Sequence, residues 1–136
     1  LNDLSENKDL FHQIIQNYLE SIESASGIKI HYEVYPDVDF ERFHSVEKRE
    51  LFSIVREIVH NSIRHSGSKN MELIFSKEDD NLHLYFEDFG KGFDNKSTNS
   101  GLGLVNIQKR IEILKGTFEL DARVNRGVII NISIPI

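Results

Sequence analysis

Hydrophobic residues recur with a helical period in three segments of the chain. Residues 9–25 predict an amphipathic helix that ends at Gly27, with an apolar face of Leu10, Ile14, Tyr18 and Ile22, flanked by Phe11 and Ile15. A second helix is predicted from Val46 to about His65, and a third from Leu104 to Leu114. The three predicted helices therefore account for about a third of the chain.

Between the helices the pattern changes to strict alternation, which is typical of half-buried strands. Residues 28–35 alternate up to Pro36, whereas residues 37–45 have no period and are predicted to be a connecting loop. Two further pairs of alternating segments are each joined by a short polar turn, and they lie at 71–76 with 82–87 and at 117–124 with 128–134. Such short turns predict antiparallel hairpins.

The order helix, strand, helix, two strands, loop, helix, two strands predicts one fold class. We expect a two-layer α/β sandwich in which three helices cover one face of a mixed, largely antiparallel sheet. A doubly wound parallel sheet is disfavoured, because the hairpin connections are too short for helical crossovers. The chain of 136 residues is predicted to form a single domain.

Composition narrows the classes of function. There is no cysteine, which excludes disulfides and thiolate metal sites and fits a reducing compartment. Six histidines are present without a His-Glu-x-x-His pair, so a zinc hydrolase is disfavoured. The net charge of −6 disfavours nucleic acid as a partner. No segment has the features of a secretory signal or a membrane span.

A polar stripe lies along the second predicted helix. Glu57, Asn61, Arg64 and His65 follow the spacing i, i+4, i+7 and i+8, which places them on one side of the helix. An amide oxygen at Asn61 can ligate Mg²⁺, and a carboxylate one turn earlier can accept a proton or hold a water on that ion. Arg64 and His65 add donors for phosphate oxygens. The alternative is the solvated face of an amphipathic helix.

Two glycine-containing motifs follow the stripe. Asp88 ends a predicted strand just before Gly90 and Gly92, where a carboxylate can accept the exocyclic amine of adenine and the glycines let a ligand approach the backbone. Gly101-Leu102-Gly103-Leu104 opens the third helix, and amides at a helix N-terminus suit phosphate groups. A tight turn and an ordinary glycine loop are the alternatives, and neither a Walker loop nor a dinucleotide fingerprint is present.

In this order the three motifs resemble the superfamily of gyrase, heat-shock chaperone, histidine kinase and mismatch-repair ATPases. The resemblance is greatest to the catalytic domain of sensor histidine kinases with a short nucleotide lid, and it runs from about Leu51 to the C-terminus. Glu57 to His65 are similar to the asparagine box of that family, Asp88 to Gly92 to its first glycine box, and Gly101 to Leu104 to its second. A Bergerat-type sandwich is the fold that this resemblance implies.

The resemblance also implies a function, which is transfer of a phosphoryl group from Mg²⁺-ATP to a histidine. It assigns Asn61 to Mg²⁺, Arg64 and His65 to phosphate, Asp88 to adenine, the second glycine box to the phosphate cradle and Glu57 to the catalytic base. The implied partners are a phosphoacceptor helical segment upstream, which dimerises in the full-length kinase, and a response regulator. The implied location is cytoplasmic, either free or attached to an input region that can lie in the membrane.

Three features qualify this assignment. The lid is predicted to span only about Phe93 to Ser100, and Val128 replaces a hydroxyl residue that relatives place near adenine. His12 lies on a predicted helix but lacks the acidic neighbours of a phosphoacceptor. Two other functions therefore stay open, namely a serine kinase of the anti-sigma-factor type and a module that binds nucleotide without catalysing transfer.

Overall fold

The computed structural model describes residues 2–65, 67–92 and 101–136, and for residues 2–9 and 101–103 it describes the backbone alone. The order of elements is the predicted one, with a short 3₁₀ helix added at Phe40–Arg42. The elements are α1 (Asn2–Ser26), β1 (Lys29–Val34), α2 (Ser45–His65), β2 (Asn70–Glu78), β3 (Asn81–Asp88), α3 (Gly101–Ile113), β4 (Thr117–Arg123) and β5 (Gly127–Pro135).

The five strands form one sheet in the order β1-β2-β3-β5-β4. β1 pairs with β2 in parallel, and the chain crosses between them through α2. The pairs β2–β3, β3–β5 and β4–β5 are antiparallel. The prediction of a mixed, largely antiparallel sheet with three helices is therefore confirmed.

The hydrophobic core lies between the helices and one face of the sheet. Directly paired residues share a face, so Leu73 and Phe86 lie in one row and Leu84 and Ile132 in another. All four are almost fully buried, together with Ile54 and Ile58 of α2, Ile107 and Ile111 of α3 and Ile15 of α1. The alternation in sequence thus corresponds to one face covered by helices and one face that is more open.

The apolar face predicted for α1 is only partly correct. Among the residues of α1 whose side chains are described, Phe11, Ile15 and Leu19 are buried, whereas Leu10 and Ile14 are 55% and 43% exposed. The apolar arc of this helix is wider than the strip that contacts β1, so residues at one edge of the arc remain outside the core.

The predicted loop at 37–45 contains the short 3₁₀ helix, and this part of the prediction is corrected. Asp39 caps it by accepting a hydrogen bond from the N–H of Glu41. Phe40 is buried, with ring centroids 5.0 Å from Phe11 and 5.1 Å from Phe75. Aromatic packing of this kind orders a connection that has no periodic signal.

Candidate functional site

The carboxylate of Asp88 is the main polar group on the helix-covered face of the sheet. Leu82, Leu84 and Phe86 precede it at alternate positions of β3, and Asp88 takes the next position in the same buried row, with 2% of its surface exposed. Its Oδ2 accepts a hydrogen bond from Ser62 Oγ at 2.8 Å. This bond connects the end of the sheet directly to the last turns of α2.

Two main-chain amides complete the described hydrogen bonds of this carboxylate. Asp88 Oδ1 accepts from the N–H of Gly90 at 3.2 Å and from the N–H of Val128 at 3.1 Å. Val128 is also the residue that pairs with Asp88 across β3 and β5. The carboxylate is therefore held by the turn that follows β3, by the start of β5 and by α2.

The surroundings of Asp88 favour the protonated form of its carboxyl group more than water does. Burial raises the pKa of this carboxyl group above its usual value, and the three hydrogen bonds from Ser62, Gly90 and Val128 lower the pKa in part. The nearby charge of Glu87 adds to the increase. A buried acid with a raised pKa and no cationic partner among its described contacts is typical of a ligand-binding position.

Ser68 holds the turn that follows Asp88. Its hydroxyl accepts a hydrogen bond from the N–H of Phe89 at 3.0 Å and from the N–H of Asn70 at 3.2 Å, and it also donates to the carbonyl of Asn70. Ser68 is buried at the entry to β2. Two serines that follow Asn61 in the chain, Ser62 and Ser68, thus position the carboxylate and its turn.

Two glycines around Asp88 lie in backbone conformations that favour glycine. Gly92 has φ +60°, and a Cβ there would lie 2.0 Å from the carbonyl oxygen of Arg123. Gly127 has φ +90°, and a Cβ there would lie 2.2 Å from the carbonyl oxygen of Asp88. Both contacts are far too short for a side chain, so the turn after β3 and the start of β5 approach each other only because glycine is present.

The predicted stripe lies at the C-terminal end of α2. Glu57 and Asn61 are half-buried, and Arg64 and His65 are exposed. Ser62, next to Asn61, points into the core toward Asp88, so the stripe lies on the adjoining side of the same turns. The structure thus brings the end of the asparagine box beside the first glycine box.

The second glycine box lies in the first turn of α3, where Gly101, Leu102, Gly103 and Leu104 are all helical. Farther along α3, Arg110 Nη1 donates to Glu50 Oε2 of α2 at 2.8 Å. This ion pair and the neighbouring buried residues join α3 to α2. The predicted lid, at 93–100, lies outside the described residues.

Sequence reasoning missed three residues of this site, Ser62, Ser68 and Gly127. Ser62 occupied a position on the apolar face of α2, and a polar residue in such a position is a signal for a buried hydrogen bond. The sequence pattern places Gly127 in the short turn between the last two strands, whereas it is the first residue of β5. Its contact with Asp88 follows from strand register. The signal from Ser68 was weaker, because serine is common after a helix.

The fold and the site define a class of protein. The chain belongs to the family of histidine kinase-, DNA gyrase B-, and HSP90-like ATPases, whose sequence profile matches residues 46–136. This confirms the resemblance based on the three motifs, and with it the prediction of a catalytic domain of the histidine kinase type.

Curated relatives of the chain include two proteins named as histidine kinases. It is 29% identical over 127 residues to the signal transduction histidine-protein kinase/phosphatase DegS of Bacillus subtilis (strain 168), covering 90% of this chain and 33% of that protein. It is 27% identical over 125 residues to the oxygen sensor histidine kinase NreB of Staphylococcus carnosus (strain TM300), covering 89% and 35%. The chain thus spans about a third of the length of these relatives.

Solved structures share the fold. The histidine kinase domain from the Erythrobacter litoralis EL346 blue-light activated histidine kinase superposes with a TM-score of 0.78 at 20% identity, over 92% of this chain and 60% of that chain. A mycobacterial sensor histidine kinase, MprB, gives a TM-score of 0.69 at 19% identity, over 91% and 93%. The described part of the chain contains no helix with the length and hydropathy of a membrane span.

Proposed function

We propose that this chain binds Mg²⁺-ATP and transfers the γ-phosphoryl group to a histidine, as the catalytic domain of a two-component sensor kinase. The observation that carries the proposal is the buried carboxylate of Asp88. An ionised carboxylate has about four acceptor positions, and described donors use three of them. We assign the remaining position to the exocyclic amine of adenine.

The phosphate end of the nucleotide is assigned to the first turn of α3 and to α2. Arg110 follows Gly101 by nine residues, and Glu50 precedes Asn61 by eleven. The helix α2 connects the parallel strands β1 and β2, and α3 connects β3 and β4, which run in the opposite direction, so the two helices run antiparallel. At about 1.5 Å per residue, both sites then lie at a similar level, about 14 and 17 Å from the Glu50–Arg110 ion pair. The amides of the second glycine box, at the N-terminus of α3, and the side chains of Arg64 and His65 then surround one phosphate chain.

Asn61 and Glu57 fit a magnesium ion that arrives with the nucleotide. Magnesium in kinases takes only one or two protein ligands, together with phosphate oxygens and water. An amide oxygen at Asn61 and a carboxylate one turn away, both half-buried, supply such a set. In the described parts of the chain, no group of three or more candidate ligands forms a metal site independent of a nucleotide. When bound, the ion neutralises phosphate charge.

Each residue of the site is assigned a role from the part of the nucleotide or of the acceptor that it is expected to contact. Asp88 orients the base, the start of α3 and Arg64 with His65 hold the phosphates, and Glu57 accepts or directs the proton of the acceptor. The phosphoacceptor is a histidine on an upstream helical segment that dimerises in the full-length kinase, and a response regulator receives the phosphoryl group afterwards. The catalytic region acts in the cytoplasm.

His12 is not assigned as the acceptor. Its Nδ1 lies 3.0 Å from the hydroxyl of Tyr32, and the side chain is half-buried between α1 and β1. A histidine held by a core-facing tyrosine serves packing rather than phosphoryl transfer.

Nucleotide binding is tested by titrating the protein with ADP and Mg²⁺ and following the heat of binding. We expect saturable binding that Asp88→Asn weakens by about 10- to 100-fold, because one charge-assisted hydrogen bond is lost. Asp80→Asn makes the same chemical change at an exposed residue just before β3, and this variant is expected to bind ADP with the affinity of the parent. Absence of saturation at millimolar ADP in the parent, or equal affinity for the two variants, contradicts the assignment.

Transfer is tested separately with γ-labelled ATP and the upstream segment of the full-length kinase added in trans. Acid-labile, alkali-stable label on that segment supports a histidine kinase, and acid-stable label identifies a serine kinase instead. A non-catalytic nucleotide module is the second candidate, favoured by Val128, which lies opposite Asp88 without a hydroxyl. Intact ADP binding with no labelled segment supports that candidate.

A further inference from the structure

The strand β1 has a main-chain edge that faces away from the sheet. Lys29 donates its N–H to the carbonyl of Lys69, and Tyr35 donates to the carbonyl of Phe75, so odd-numbered residues of this segment bond toward β2. Main-chain groups alternate in direction along a strand, and those of Ile30, Tyr32 and Val34 therefore point outward. β1 ends the sheet on this side.

Only one of these outward N–H groups has an acceptor in the described part of the chain. The N–H of Ile30 donates to Glu23 Oε1 of α1 at 2.7 Å. Residues 2–65, 67–92 and 101–136 supply no partner for the N–H groups of Tyr32 and Val34. These two N–H groups and the outward carbonyls of all three residues form a template for an additional strand.

A groove of about 530 Å³ runs between this edge and α1. Its walls include three carboxylates, Glu20 and Glu23 from the helix and Glu33 from the strand, and no lysine or arginine. Glu33 belongs to the alternate set of β1 residues that faces away from the core, whereas Glu20 and Glu23 lie on the helix side. Negative charge is therefore present on both sides of the edge.

The wall that α1 forms is fixed against the strand by side-chain contacts. His12 bonds to the hydroxyl of Tyr32, and the carboxylate of Glu23 caps the N–H of Ile30. The ring of Tyr32 packs edge-on against Phe75 in the core, with centroids 6.3 Å apart. A ligand at this edge therefore meets a groove that is already shaped.

We propose that the edge of β1 binds an extended basic segment of a partner protein, which adds a strand beside β1. The incoming main chain pairs with Tyr32 and Val34, and its lysine or arginine side chains reach Glu20 on one side and Glu33 on the other. A second copy of this chain is a poorer occupant, because it brings the same three carboxylates to the groove. The surface is distinct from the nucleotide site at Asp88.

The proposal is tested with a short fluorescent peptide of alternating lysine and valine, with a glutamate–valine peptide as the control. We expect the basic peptide to bind in a saturable and salt-sensitive manner, and to slow amide hydrogen exchange at Tyr32 and Val34 in the NMR spectrum. The glutamate–valine peptide is expected not to bind. The experiment does not need nucleotide, so its outcome is separate from that of the proposed function.

Two variants of the groove and one control variant locate the binding. Glu20→Gln with Glu33→Gln is expected to weaken binding about fivefold, while Glu119→Gln with Asp121→Asn, an equal charge change on the opposite edge strand β4, leaves it unchanged. Val34→Pro removes an outward N–H without removing a bond to β2, and it is expected to abolish binding.

Three results overturn the proposal. The first is equal affinity of the two charge variants, and the second is peptide-induced protection of amides elsewhere but not at Tyr32 and Val34. The third is protection of these two amides that grows with protein concentration without peptide, which identifies a second copy as the occupant.

Discussion

The hydrogen bond from Ser62 to Asp88 gives a prediction whose size and pH dependence both follow from the structure. Ser62→Ala removes a donor at 2.8 Å from a carboxylate oxygen that is almost completely buried. A hydrogen bond to a charged group contributes about 1.5–3 kcal/mol, and one between neutral groups about 1 kcal/mol. We therefore expect a loss of about 2 kcal/mol in the free energy of unfolding when Asp88 is ionised, and a smaller loss when it is protonated.

The sign of the pH dependence follows from the raised pKa. Because the folded protein holds the proton of Asp88 more tightly than the unfolded chain, this group favours folding below its usual pKa of 3.8, and that contribution is lost as the pH rises through the folded pKa. Ser62→Ala raises the folded pKa further. The difference in stability between variant and parent is thus expected to grow with pH.

The assay is urea unfolding followed by circular dichroism, in a pH series that begins below the usual carboxyl pKa of 3.8 and extends to about pH 8. Ser53→Ala is the matched control, since Ser53 lies on the same helix and lines a groove near Leu10 rather than Asp88. The control measures the increase of about 0.5 kcal/mol in the free energy of unfolding that results from replacing serine by alanine in a helix. The reasoning is refuted if both variants change stability equally, or if the difference is independent of pH.

Three further predictions use neighbouring contacts. Gly127→Ala is expected to destabilise the fold by about 3 kcal/mol in thermal unfolding, because its Cβ meets the Asp88 carbonyl at φ +90°, and an unchanged melting temperature would contradict this contact. Glu50→Gln is expected to cost about 1–2 kcal/mol in urea unfolding, since it removes the charge opposite the half-buried Arg110, and Glu47→Gln in the first turn of the same helix is its control. Val128→Thr is expected to tighten ADP binding about 2- to 10-fold by calorimetry, since it restores a hydroxyl beside Asp88, and an unchanged affinity would refute a role for that position.

The sequence predicted the helices and strands because each has a clear hydrophobic period. The pairing of β2 with β3 and of β4 with β5 followed from their short turns, and the parallel pairing of β1 with β2 is consistent with the helix between them. The three motifs also identified the family. In these respects local pattern and global fold agree.

Other features depended on contacts that no local pattern records. Which residues of the wide apolar arc of α1 are buried depends on where β1 lies, so Leu10 and Ile14 were assigned to the wrong environment. Phe40 enters the core through aromatic contacts from an aperiodic segment. The bond between Ser62 and Asp88 joins residues 26 positions apart, and only the register of α2 over the sheet brings them together.

Under the proposed function, the burial of Asp88 couples adenine binding to the release of protons. A carboxyl group that resists ionisation in the empty fold becomes easier to ionise when an amine donor is placed against it. Near the pKa of this acid, binding of adenine at the proposed position therefore releases protons to solvent. The affinity for the nucleotide then increases with pH. The affinity of the domain for nucleotide would then depend on pH through the same carboxylate that recognises adenine.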